Sequence, residues 1–322
     1  MSRARWLTVG AVVALFGLGV LFARPERLEV VGSPCEPLAH DGDPWIVPAD
    51  ELSGYCEPSG RARPGKRTGV FELVRHDELS PVSADFWDQL DTTFFCNEAV
   101  FSPDKVVPRP AGGVGLELVA ADHGDKPYLS GSIATKDLDH ARFTHGRFEI
   151  VLKPPRASGV ITAFFLYRFD PWQEIDVEFL GRDPTKLLAN VFYNPGEPGD
   201  LYNYGYRGTP VLIDLGFDAS EGFHAYAIEW EEDEIRWFVD GRLVHARSHG
   251  RPTPIPHLPM RLHVNTWPCC SEELAGPVEA AALPVSAEVR SVSISRWHPP
   301  PLVRLGRLFD AEDWREDAEW IQ

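Results

Sequence analysis

Trp172-Gln173-Glu174-Ile175-Asp176-Val177-Glu178-Phe179 alternates carboxylate and apolar side chains from Glu174 onward. A period of two belongs to a β-strand. Glu174, Asp176 and Glu178 therefore share one face, and Ile175, Val177 and Phe179 share the other. Three like charges on one strand face repel, and nothing in the local sequence neutralises them. A solvated edge strand can carry such a face. So can a reaction in which an acid and a base flank one bond, since both can be carboxylates. The aromatic setting favours the second reading: Phe164, Phe165 and Tyr167 precede the stretch, and Phe192 and Tyr193 follow it.

Working outward, short alternating segments recur between turn signals. They are Gly115–Ala120, Arg147–Leu152, Ile161–Tyr167, Leu188–Tyr193, Ala225–Trp230, Ile235–Val239, Met260–Asn265 and Val289–Trp297. Asp240-Gly241, between Ile235–Val239 and Arg242–Ala246, is a hairpin signal. Many strands with short connections predict an all-β sandwich or barrel over residues 69–298.

The flanks differ in composition. Arg3 and Arg5 precede an uncharged apolar run from Trp6 to Ala23, which reads as a signal peptide or a membrane anchor and implies an extracytoplasmic protein. Ala23 suits a cleavage site, but Leu21 does not, which tips the balance toward an anchor. Residues 24–68 are Pro- and Gly-rich without a period and read as an irregular linker. Pro299-Pro300-Pro301 opens an acidic tail to Gln322, mildly amphipathic, either a helix on the sandwich or a loose end.

The 322 residues carry a net charge of −17, which argues against nucleic acid or anionic lipid as partner and is compatible with a neutral substrate. Five cysteines fit an oxidising compartment but cannot all pair. Cys35 with Cys56, and Cys96 with Cys269 or Cys270, are the pairs to expect. A free, buried Cys96 is the alternative. No His/Cys cluster has zinc spacing.

Glu174-Ile175-Asp176-Val177-Glu178-Phe179-Leu180-Gly181 resembles the active-site signature of glycoside hydrolase family 16. Gly181–Lys186, Asp214–Ser220, Gly222–Ala227, Ile235–Gly241 and Asn265-Thr266-Trp267 continue the resemblance in order, closest to the bacterial lichenases, the β-1,3-1,4-glucanases. It covers about residues 70–297. It implies a β-jelly roll of the concanavalin type, acting as a monomer on a polysaccharide that lies in a groove across the concave sheet.

Matched position by position, the resemblance makes Glu174 the nucleophile, Glu178 the general acid/base and Asp176 the residue that tunes both. It implies that Trp172 stacks on a sugar and that Phe165, Asn190, Phe192, Asn265 and Trp267 line the cleft. Core packing is the alternative for Phe165 and Phe192. Ser130 and Gly131 resemble the Ser-Gly of a cleft strand. No cofactor is required, and a structural Ca²⁺ on the convex side is implied without residues to hold it. Two departures touch specificity. Gln173 stands where lichenases carry Asp, which would alter the hydrogen bonding around Trp172. Pro268-Cys269-Cys270-Ser271 replaces the usual loop beside the groove. The expected activity is a retaining endo-β-glucanase, with transglycosylation, remodelling of cell-surface polysaccharide and a non-catalytic glycan-binding module as alternatives.

Overall fold

The computed structural model describes residues 69–194, 210–248 and 253–299. Numbered along the chain, a ten-stranded sheet holds β1 (Val70–Asp77), β3 (Ala99–Phe101), β4 (Val106–Pro108), β5 (Val114–His123), β6 (Lys126–Ser130), β8 (Gly146–Lys153), β13 (His224–Trp230), β14 (Glu234–Val239), β15 (Arg242–Ser248) and β17 (Val285–His298). A seven-stranded sheet holds β2 (Trp87–Gln89), β7 (Ser132–Thr135), β9 (Val160–Arg168), β10 (Gln173–Leu180), β11 (Lys186–Tyr193), β12 (Val211–Asp214) and β16 (Arg261–Pro268). Its order is β12-β11-β10-β9-β16-β7-β2. The sandwich is the expected all-β jelly roll, and the segments read from the sequence fall on its strands. The segment from Met260 runs further than its alternation suggested, since β16 continues through Trp267 to Pro268.

The period of two explains the layers. Ile175, Val177 and Phe179 point inward with Phe164, Leu166, Val191, Leu262 and Val264. They meet Phe148, Ile150, Tyr226, Ile228, Trp237 and Ile294 of the other sheet. Each such side chain contributes about 1.5–3 kcal/mol when fully buried. The Trp237 indole reaches across the core and donates to the Asp176 carbonyl at 2.9 Å, tying the two sheets together behind the acidic face. Asp240 and Gly241 both take positive φ, 49° and 75°, as a tight two-residue hairpin between β14 and β15 requires.

β10 is no edge strand: β9 and β11 pair with it on either side. The edge reading of its acidic face is thereby replaced. A second, smaller apolar cluster lies outside the main core. Ile161, Leu180, Leu188 and Trp267 from the sheet pack there with Cys96, Phe101, Cys269 and Leu274. The Cys96–Cys270 disulfide stitches this cap shut, one of the two pairings expected for Cys96. Cys269 stays a buried thiol with its Sγ 4.0 Å from that of Cys96. A short helix, α1 (Glu272–Ala275), follows, with Ser271 Oγ accepting from the Leu274 amide.

The apolar segment at residues 6–23, the linker, Cys35 and Cys56, and the C-terminal tail lie outside the described residues. Among the described residues no helix is long and apolar enough to cross a membrane.

Candidate active site

The outer face of the seven-stranded sheet carries a cleft of about 400 Å³. Register decides what lines it. Residues directly opposite on paired strands point to the same face. Asp176 is flanked by Asn190 and Phe165, and Phe165 in turn by His263. Glu174 sits between Phe192 and Tyr167, and Glu178 between Leu188 and Ala163, with Asn265 beyond. All of these line the cleft together with Trp267. Beyond Glu178 the wall turns apolar, with Leu90, Phe94, Phe101 and Leu274. Phe94 meets the Trp267 indole edge-on at 4.9 Å.

Phe165, Asn190, Phe192, Asn265 and Trp267 all line this cleft, and Phe165 and Phe192 stand outside the apolar core clusters. Trp172 stands at the Glu174 end of the cleft, against two side chains that line it. It stacks flat on Phe192 at 4.5 Å and donates from its indole nitrogen to Glu174 Oε2 at 2.8 Å. Gln173 does not touch this arrangement, contrary to the reading of its substitution. It faces the other way, fully buried, and its amide donates to the Asn194 carbonyl while its oxygen accepts from the His257 and Leu258 amides. It anchors the segment leading into β16. Ser130 and Gly131 also lie elsewhere. They sit where the chain crosses from β6 to β7, and a Cβ on Gly131 would meet the Lys105 carbonyl oxygen at 2.4 Å. That glycine serves close backbone packing.

Burial raises all three carboxyls, Glu174 to about 8, Glu178 to about 7 and Asp176 well above its usual range. In Asp176 the negative charges of Glu174 and Glu178 add to the effect of burial, and Arg247 partly opposes it. Arg247 lies opposite the core-facing Ile235 in the β14–β15 register, so it projects into the core, where its guanidinium stands 5.7 Å from the Trp237 ring. The three carboxyls release protons in steps that belong to the set. Within it only Glu174 receives hydrogen bonds that favour its ionised form, one from Trp172 and one from Asp176. These hydrogen bonds stabilise a carboxylate at Glu174 against the burial and the Glu178 charge that raise it, and the proton between Glu174 and Asp176 is held on Asp176. Burial and the Glu174 charge also hold the Tyr167 phenol protonated.

Sequence reading left three contributors unassigned. Tyr167 and His263 face the cleft through their register with Glu174 and Phe165. Arg247 acts from the core side. Each depends on cross-strand pairing, for which a single chain carries no local signal. As for the implied calcium, no three His, Cys, Asp or Glu side chains gather as metal ligands among the described residues.

Residues 100–280 match glycosyl hydrolases family 16. A beta-glucanase from Brevibacillus brevis is 40% identical over 225 residues, covering 62% of this chain and 79% of that protein. Several further beta-glucanases match over about half of their length. The Bacillus licheniformis beta-glucanase structure superposes with a TM-score of 0.58 at 25% identity, over 69% of this chain and 97% of that one. The Rhodothermus marinus laminarinase gives 0.60 at 26%, over 72% and 100%. With its two antiparallel layers and an acidic central strand opening on a cleft, this chain belongs to glycosyl hydrolases family 16 and is a glycoside hydrolase.

Proposed function

We propose that the chain hydrolyses internal bonds of a β-glucan with retention of anomeric configuration. Glu174, as carboxylate, attacks the anomeric carbon while the Glu178 carboxylic acid gives its proton to the departing glycosidic oxygen. The bond from carbon to that oxygen breaks and a glycosyl ester to Glu174 forms. Glu178, now ionised, takes a proton from water as the water oxygen displaces Glu174, which restores both groups. Asp176 keeps its proton and holds Glu174 in place through their hydrogen bond. The observation that carries this reading is that Glu174 and Glu178 face one cleft from the same side of a strand, with the Trp172 indole donating to Glu174 Oε2 at 2.8 Å.

For the substrate, mixed-linkage β-1,3-1,4-glucan or a related β-1,3-glucan is the reading that the beta-glucanase and laminarinase relatives support. Work outside the cytoplasm is supported by the N-terminal apolar run and by the Cys96–Cys270 bond, which an oxidising compartment preserves.

Product analysis on barley β-glucan, lichenan, laminarin and xyloglucan tests the proposal. Wild type should release short oligosaccharides from one or more of the first three. Glu174→Gln should bind glucan without cleaving it, and Glu178→Gln should lower kcat/KM by about 10²–10⁴-fold. Wild-type rates in Glu174→Gln would overturn the assignment. Products longer than the oligosaccharides supplied would make the enzyme a transglycosylase.

A further inference from the structure

Two cleft-lining side chains on the outer face of β16 carry buried polar atoms with no hydrogen-bond partner among the described residues: His263 Nε2 and Asn265 Oδ1. Their side chains are 8% and 3% exposed. Ser132, opposite Asn265 in the β16–β7 register, adds an unpartnered Oγ. A buried polar group left unpaired costs about 1–3 kcal/mol. Two of the three belong to the cleft-lining residues His263 and Asn265, and a polar occupant of the cleft would satisfy them. His263 is held firmly: its ring stacks on Phe165 at 5.0 Å and meets Tyr167 edge-on at 5.7 Å. Asp176 is two strand spacings away through Phe165, about 9–10 Å at the usual 4.7–4.9 Å per strand.

We propose that His263, with Asn265, forms a sugar-binding subsite away from the reacting bond, in which the imidazole hydrogen-bonds a hydroxyl of the glycan chain. The inference rests on reading the cleft as a glycan site and adds to it a residue that discriminates chain length. A neutral imidazole fits this role, and burial together with the Arg261 charge depresses the His263 pKa to about 3. Arg261 itself is engaged by Asp88 and the Thr135 carbonyl. Tyr167 and the three carboxyls are the remaining titratable groups lining this face of the cleft.

Steady-state kinetics of His263→Phe and His263→Leu on the best β-glucan found for the wild type test the proposal. Phe keeps the stacked ring and removes the polar atoms. Either variant should raise KM about tenfold, the loss of one hydrogen bond. Its kcat should stay within about twofold and its pH profile unmoved, because the residue binds rather than transfers protons. On the shortest oligosaccharide cleaved, which does not reach the subsite, wild type and variant should converge. A folded variant with wild-type KM on polymer would overturn the proposal, as would a displaced pH profile. Failure of both variants to fold would make His263 a structural residue and overturn it too. Wild type inert on every β-glucan would instead refute the proposed function itself.

Discussion

Asp176 holds an unusual position: a carboxyl only 4% exposed, between two glutamates, that is most useful when protonated. Its pKa is raised in the fold, so the native state binds that proton more tightly than the unfolded chain does, where the group titrates near 3.9. Stability from this group is therefore fully present below about pH 4 and is lost as pH rises toward the folded value. Asp176→Asn removes the penalty. The variant should melt above wild type at pH 7 and nearly level with it at pH 4, while losing activity because Glu174 is no longer held by an acid of matching strength. Calorimetric melting at both pH values checks this, and a gap that shrinks with rising pH would contradict it. The position of Asp176 was readable from the strand, since its spacing puts it between the glutamates. Its countercharge was not: Arg247 lies 71 positions further on and meets the site only through the sandwich core.

The element that sets the apolar end of the cleft is the cap, whose two halves are 174 residues apart in sequence and joined by Cys96–Cys270. Cross-linking so long a loop contributes about 2–4 kcal/mol by restricting the unfolded chain. Cys96→Ser should lower stability by that amount and raise KM, because Phe94 and Trp267 lose a fixed backing. Denaturant unfolding with and without reductant measures the first part; equal stability of oxidised wild type and variant would refute it. Cys96 is the better position to replace, since the Cys269 thiol stands 4.0 Å from its sulfur and remains when Cys270 is removed. Legibility at this scale was mixed. β10, β9 and β11 announced themselves by alternation, and Asp240-Gly241 marked its hairpin. The cap did not announce itself, because Leu90, Phe94 and Leu274 follow no period and gain meaning only from the strands beneath them. Trp172 and Gln173 show the same limit: both were singled out, but whether each covers Glu174 or pins the core side was a matter of backbone placement.

Across the whole molecule, one layer supplies rigidity and the other chemistry. The ten-stranded sheet backs the seven-stranded one through a shared apolar core and the Trp237–Asp176 bond, so the acidic face is held on a packed strand rather than a loop. Such a site keeps its geometry while the chain around it varies. The central claim is that Glu174 forms a covalent bond to the sugar. Peptide mass spectrometry after incubation with a 2-deoxy-2-fluoro β-glucan oligosaccharide bearing a good leaving group tests it most directly. The account predicts one added glycosyl unit on the peptide holding Glu174, absent in Glu174→Gln. A label on Glu178 instead, or products formed with inverted anomeric configuration and no label at all, would contradict it.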